Sequence, residues 1–387
     1  MKVSILVSDL SKSGAGRWGG AVRTFLLAQA LKKLNCDVEI LGFTFGNELP
    51  DLSASGFPVM TIPGQNYPGF IQAARTLLQK IDGDLIYALR PKPTTLGLAL
   101  LKRSRSRCPI LLDIDDWELG WFGQYKPGLK QLARDILKPE GALRYPDHRL
   151  YLQWMESLAS RADAITVHTQ FLKERFGGTY VPNGKDTTLF DPQHYNPQET
   201  RKRYGLSDYC ILMFPGAPRP YKGIEDVLIA LEQLDRPDLR LAIVGGSPYD
   251  DYDQKLLERW GRWIIKLPTF PVEKMPEVVS AAHVVVVPQR DTAAAKAQFP
   301  LKLTDGMAMS KPILATRVGD IPEIVADAGI LVDPSSPEQL AEKIQWIFEN
   351  LDTARSMGLK ARQRCVERYS IDTMAAILAG LLQQLRP

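Results

Sequence analysis

Residues 298–325 read QFPLKLTDGMAMSKPILATRVGDIPEIV. A loop leads into a helix expected to begin near Lys302, with Asp305 inside its first turn. Lys311-Pro312 ends that helix, because proline has no N–H to continue it. The apolar run 313–315 makes a strand, and Gly319 opens the turn before Pro322-Glu323. Two loop-to-helix junctions therefore lie close together in sequence, each with unpaired backbone N–H groups and the positive end of a helix dipole. Such ends suit phosphate, and an acid at their edge suits sugar hydroxyls. An ordinary α/β turn with a structural acid fits the same residues.

The residues before this stretch repeat the alternation. A strand at 211–214 runs into Pro215-Gly216-Ala217-Pro218-Arg219-Pro220-Tyr221-Lys222-Gly223. A helix over 224–234 follows, with Val227, Leu228, Leu231 and Leu234 at inward spacing. A loop stiffened by proline loses less entropy on binding, and two cations ahead of a helix N-terminus make a diphosphate site. Solvated surface cations are the plainer alternative. The strand at 239–244 ends in Gly245-Gly246, a turn that permits close backbone approach. Strands follow at 264–267 and 284–287, the latter wholly apolar and so central. A strand at 330–332 and helices at 337–350, 355–369 and 371–385 complete the half.

The amino-terminal half has the same grammar. A strand at 3–7 precedes Gly19-Gly20, which open a helix with Val22, Phe25, Leu26, Ala30 and Leu34 at core spacing, and a strand at 38–41 closes a βαβ unit. The glycines do not form GxGxxG. Strands at 59–62, 85–89 and 110–114 alternate with helical stretches at 69–80 and 94–102, which predicts a parallel sheet with ligands at the strand C-terminal ends. The strand at 110–114 runs into four acids within six residues: Asp113, Asp115, Asp116 and Glu118. Asp115 or Asp116 can orient an acceptor hydroxyl or stabilise a cationic centre; a solvated turn is the alternative. Asp113-Ile114-Asp115 also has the DxD form that binds a divalent metal in another class of sugar-transferring enzyme.

Residues 119–138 carry Trp121, Phe122 and Tyr125, then Leu129, Leu132, Ala133, Ile136 and Leu137 against Lys130, Arg134 and Lys138. Such an aromatic–basic amphipathic stretch packs on a sheet as a surface helix or lies on an anionic membrane. A strand at 164–167 precedes His168, read as structural. After the short strand at 179–182, the turn Pro182-Asn183-Gly184 marks the boundary between domains 1–182 and 183–370, with the helix from 371 to 387 returning to the first.

At 387 residues, 45% hydrophobic and 24% charged, the chain has the size and composition of a two-domain soluble enzyme. The opening MKVSILVSDL reads as a first strand and not a signal peptide. No apolar run reaches the roughly 18–20 residues of a membrane span. The four cysteines have no metal-ligand spacing and suit a reducing compartment. The expected setting is the cytoplasm, with peripheral contact at the inner face of a membrane through 119–138 as the second option. Net charge of +4 permits an acidic partner, but the basic residues are dispersed, which argues against nucleic acid.

Taken together, these motifs resemble the retaining GT-B glycosyltransferases, a family that includes mannosyl- and glucosyl-transferring enzymes of lipid and polysaccharide assembly. The residues that carry the resemblance are Val181-Pro182-Asn183-Gly184 with Asp186 and Phe190; Gly216 through Lys222-Gly223; Val244-Gly245-Gly246; Lys302 through Ala308; and Gly319 through Val325. Gly19-Gly20 and Glu156 ahead of Ala162-Asp163 add to it. The resemblance implies two Rossmann-like doubly wound α/β domains facing across a cleft, which move a hexose from a nucleotide-diphosphate sugar to a hydroxyl of a glycan, lipid or small molecule. It implies no metal and no cofactor. The donor-binding set it implies is Gly19, Gly20, Gly216, Gly245, Gly246, Lys302, Leu303 and Asp305; the catalytic set is Asp115, Asp116, Arg219 and Lys222. Arg219 and Lys222 match the pair holding the diphosphate, Asp305 the acid on the ribose, and Asp115 a position where many members carry a histidine. The chain departs from the pattern in four places. Ala297 replaces the first acid, Asp305 is not Glu, Lys302 sits three residues before it, and Arg219 is displaced two residues along its loop. A catalytically silent nucleotide-sugar binder, or a metal-dependent transferase using Asp113 and Asp115, are the alternative readings.

Overall fold

A computed structural model describes residues 1–11, 20–46, 56–122, 142–247 and 250–385. The chain divides into two compact units, one of Met1–Asn183 with Met374–Pro387 and one of Gly184–Thr373.

The first unit holds a seven-stranded parallel sheet: β1 (Lys2–Val7), β2 (Asp37–Thr44), β3 (Val59–Pro63), β4 (Leu85–Leu89), β5 (Ile110–Ile114), β6 (Ala164–Val167) and β7 (Thr179–Tyr180). Their spatial order is β3-β2-β1-β4-β5-β6-β7. β4 and β5 are buried at every residue, as strands covered on both faces must be. The edge strand β3 is partly exposed and ends at Pro63, which has no N–H to extend a ladder. Helix Gly69–Lys80 buries Phe70, Ala73, Ala74, Leu77 and Leu78. The predicted helical stretch at 94–102 opens as a π-turn, Pro93–Gly97, and continues as helix Leu98–Arg103. The Gly97 N–H reaches back to the Lys92 carbonyl at 3.0 Å, leaving the Arg90 carbonyl to accept from Thr95 Oγ1 at 2.6 Å.

Helix Gly20–Lys33 corrects part of the predicted face, since Ala30 is buried as expected. Val22, Phe25 and Leu26 are only half-buried, and the inward side carries Arg23, Thr24, Leu27 and Leu31. The reason is polar: Arg23 is drawn to a buried acid, described below. The aromatic–basic stretch lies largely in 123–141, outside the described residues. Only a 3-10 turn, Glu118–Phe122, is described at its start.

The second unit holds β8 (Cys210–Pro215), β9 (Leu239–Val244), β10 (Ile264–Leu267), β11 (Val284–Val287), β12 (Ile313–Thr316) and β13 (Ile330–Val332), in the order β10-β9-β8-β11-β12-β13. β11 shows why four valines in a row form a central strand. Val285 and Val287 enter one core with Leu303 and Met307, while Val284 and Val286 enter the other with Val227 and Ile344. Each face of the sheet is thus covered by helices. Helix Leu301–Ala308 lies so close that a Cβ on Gly306 would sit 2.7 Å from Ile313 Cδ1 and 2.8 Å from Val285 Cβ. Both sheets reverse strand order beside their first strand, the doubly wound arrangement that opens a crevice at the strand C-terminal ends. Helix Ile371–Gln384 begins in the second unit, and from Met374 it belongs to the first, burying Met374, Leu378 and Leu382.

Candidate active site

In the first unit, the ends of β4 and β5 gather charge. Asp113, the penultimate residue of its strand, points into the interior. Its carboxylate receives Arg23 Nε at 3.0 Å, Arg23 Nη2 at 2.8 Å and Thr166 Oγ1 at 2.6 Å. The Arg23 and Asp113 side chains are 1% and 0% exposed, so this bidentate pair is a core ion pair. Burial alone would lower the Arg23 guanidinium, but Asp113 more than offsets it and the net shift is upward. Arg23 Nη1 also donates to Asn183 Oδ1 at 2.9 Å, and Asn183 Nδ2 lies 3.4 Å from His168 Nδ1.

Arg90, the first residue after β4, sits in the left-handed region at φ 66°, unusual for a side chain of its size. That backbone lets its N–H reach the Asp113 carbonyl at 2.7 Å while the guanidinium turns to Asp115. Nε and Nη2 meet the two Asp115 oxygens at 2.6 and 3.3 Å, and Nη1 meets Glu118 at 2.7 Å. Lys92 Nζ lies 3.2 Å from Glu118 and 3.1 Å from Asp147. Burial pushes Asp115 and Glu118 up, yet both end below the ordinary carboxylate range: Arg90 outweighs burial at Asp115, and Lys92 with Arg90 does so at Glu118. Asp116 accepts from its neighbour's N–H, Trp117 N, at 2.8 Å.

These contacts give Asp113 and Asp115 separate partners. Asp113 spends both oxygens on Arg23 and Thr166, and Asp115 spends both on Arg90, so the two do not converge on a common point as metal ligands would. Among the described residues, no group of three or more His, Cys, Asp or Glu side chains could hold a metal ion. The acids are visible along the sequence as one cluster, but their partners, Arg23, Arg90 and Lys92, come from other segments.

In the second unit the charge balance is reversed. β8 ends at Pro215, and Gly216 follows at φ 145° with its N–H on the Val244 carbonyl at 3.1 Å. Arg219 is extended, and Pro220–Lys222 form a 3-10 turn. Gly223, at φ 69°, begins helix Ile224–Leu234. No other residue fits at 223, since a Cβ would lie 1.8 Å from the Pro288 carbonyl oxygen. Lys222 Nζ donates to the Ala217 carbonyl at 2.8 Å, and Arg219 Nη1 lies 3.0 Å from Asp250 at the surface. Lys302, 8% exposed, puts Nζ 4.8 Å from the Phe214 ring centroid, and its Cε is 3.7 Å from where a Gly216 Cβ would be. Burial, then the charges of Lys302 and Arg219, push Lys222 well below the usual lysine range. Burial pushes Lys302 down to about 8, partly opposed by Asp305. Crowded, desolvated cations of this kind are complementary to a bound anion.

Helix Leu301–Ala308 makes Asp305 its fifth residue, so it lies in the second turn and not the first as predicted. Its carboxylate forms an ion pair with Lys185, a residue the sequence reading passed over. Leu303 is fully buried in the core with its N–H on the Pro300 carbonyl at 2.8 Å. Gly245 stands at φ 89° just past β9, its N–H on the Leu267 carbonyl at 3.0 Å, with Gly246 beside it. Ala297, at the place of the missing acid, is buried. Gly20 is the first residue of its helix and Gly19 lies outside the described residues.

The two units and their sheet orders define an α/β protein of the GT-B fold. Anabaena Alr3699/HepE, solved in complex with UDP and glucose, superposes with a TM-score of 0.75 at 19% identity, over 99% of this chain and 100% of that one. Sucrose-phosphate synthase from Thermosynechococcus elongatus does so at 0.75 and 20% identity, over 100% and 99%. Residues 197–364 match the family Glycosyl transferases group 1, and residues 19–189 match the Glycosyl transferase 4-like domain. A relative in Mycolicibacterium smegmatis, GDP-mannose-dependent alpha-(1-6)-phosphatidylinositol monomannoside mannosyltransferase, is 27% identical over 78% of this chain and 85% of its own length. D-inositol 3-phosphate glycosyltransferase of Segniliparus rotundus is 29% identical over 66% and 59%. The chain belongs to the group 1 glycosyltransferase family and is a transferase enzyme. Among the described residues no helix is long and apolar enough to cross a membrane.

Proposed function

We propose that this enzyme moves a hexose, with retention and without a metal ion, from a nucleotide-diphosphate sugar to a hydroxyl of a glycan or lipid-linked acceptor. The observation that carries the reading is the group of Lys222, Lys302 and Arg219 at the end of β8, ahead of a helix N-terminus. Breaking the bond between the anomeric carbon and the diphosphate oxygen puts negative charge on the leaving group. Preorganised cations and helix N–H groups stabilise that charge, the role a metal fills elsewhere. Asp305 takes the ribose hydroxyls. In the first unit, Asp115, with Asp116 beside it, is assigned to the acceptor hydroxyl, with Arg90 keeping Asp115 charged. The relatives' names support the donor class: one is GDP-mannose-dependent, and the Anabaena protein was solved with UDP and glucose.

A thermal-shift panel of UDP-, GDP- and ADP-sugars is the first test. A true donor at about 100 times its Kd adds roughly 2.7 kcal/mol of stability. A crystal soaked with that donor should place both phosphorus atoms beside Arg219 and Lys222; phosphates bound elsewhere refute the assignment. Turnover should survive EDTA, and restoration by Mn²⁺ would establish the metal-dependent alternative instead. Flotation with anionic liposomes tests peripheral membrane contact.

A further inference from the structure

We propose that Lys185 is a positioning residue that fixes the Asp305 carboxylate for the ribose hydroxyls of the nucleotide. The inference rests on the reading of Asp305 given above and adds a residue to it. Lys185 follows the Pro182-Asn183-Gly184 turn, and its backbone is clamped on both sides. Its N–H donates to the Tyr369 carbonyl at 2.6 Å, and its own carbonyl accepts from Ile371 N at 3.0 Å. The ammonium lies 4.4 Å from the Phe190 ring centroid and pairs with Asp305 Oδ1. Asp305 is held as firmly from the other side. Its helix presses on β11 and β12 at Gly306, and Arg362 Nη1 donates to the Ala308 carbonyl at 2.5 Å.

Both side chains are mostly buried, 12% and 13% exposed. One carboxylate oxygen is anchored on the ammonium, and among the described residues Oδ2 has no partner. A vicinal diol needs an acceptor held still and partly open, which is what this pairing leaves. Without the ammonium, a desolvated carboxylate would seek other donors and lose its aim. A tie that only braced the chain would affect stability; a positioning role affects which nucleotides bind.

The test is titration calorimetry on the full chain with UDP, GDP and ADP, then with the 2′-deoxy and 3′-deoxy forms of the tightest binder. The unaltered protein should prefer the ribose form by about 10- to 100-fold, the range of a hydrogen bond to a charged acceptor. Asp305→Asn should erase most of that preference, and Lys185→Met should reduce it to within about threefold while weakening the deoxy forms little. Lys185→Arg should restore much of it. Should Lys185→Met not fold, Lys185→Gln carries the same comparison. If Asp305→Asn loses the preference but Lys185→Met and Lys185→Gln keep it, Lys185 is a structural brace and the inference is overturned. If Asp305→Asn keeps the preference, the ribose reading of Asp305 fails first. Failure of all three nucleotides to bind overturns both.

Discussion

The ends of β4 and β5 in the first unit and the end of β8 in the second gather charge in opposite ways. Around Asp113, Asp115 and Glu118 every acid has a cation of its own, supplied by Arg23, Arg90 and Lys92. Around Lys222 the nearest charges are like charges, and its one hydrogen bond among the described residues is to a neutral carbonyl. The first region is electrostatically complete and the second is not. A complete network rigidifies the unit that carries it. An incomplete one stores a demand that a diphosphate would meet. Charge count along the sequence does not separate these cases; only the pairing does.

Breaking the complete region should have the largest effect. Arg23→Met leaves Asp113 buried and unpaired, and loss of about 3–5 kcal/mol is expected in urea unfolding. A variant as stable as the parent would show that the pair contributes nothing. Opening the incomplete region should spare the fold. Lys222→Ala is expected to reduce kcat by on the order of 10²–10³ with an unchanged or higher melting temperature, because a desolvated cation is removed. Arg219→Ala should follow the same direction. Near-normal rates in both variants would sink the assignment of this loop.

Gly223→Ala tests the turn that aims those cations. A left-handed non-glycine residue costs about 1–2 kcal/mol, and the contact with Pro288 adds to that. A loss of at least about 2 kcal/mol with impaired donor binding is expected, and normal stability would mean the turn can relax. The smallest effect is the most specific. Lys302 is protonated below about pH 8 in the free protein, whereas an unfolded lysine titrates near 10.4. Its folded pKa is lowered, so the destabilisation is fully present below about pH 8 and is relieved as pH rises towards the unfolded value. Anion affinity runs the other way, because the charge is lost over the same interval. Binding of a nucleotide sugar should weaken by about tenfold between pH 7 and pH 9, for one proton linked to binding. A flat profile would show that Lys302 does not contribute its charge.

Much of the element map was legible in the residues. β9, β10, β11 and β13 and helix Ile224–Leu234 run over the spans that periodicity alone predicts. Buried parallel strands are written as short apolar runs between turn residues, and helices as a 3.6-residue repeat. The π-turn at Pro93–Gly97 was not, although the helical stretch expected there continues as helix Leu98–Arg103. Nor was the inward face of helix Gly20–Lys33, where an arginine turns toward the core.

The sequence by itself determined the two α/β halves, the stiff loop with Arg219 and Lys222, and the helix that bears Asp305, since each depends on neighbours within a few residues. The tertiary structure alone decided which acids are already neutralised. Arg23 and Asp113 are 90 residues apart, and Lys185 and Asp305 are 120 apart. Strand order and helix packing, not spacing along the chain, bring such groups within a hydrogen bond of each other.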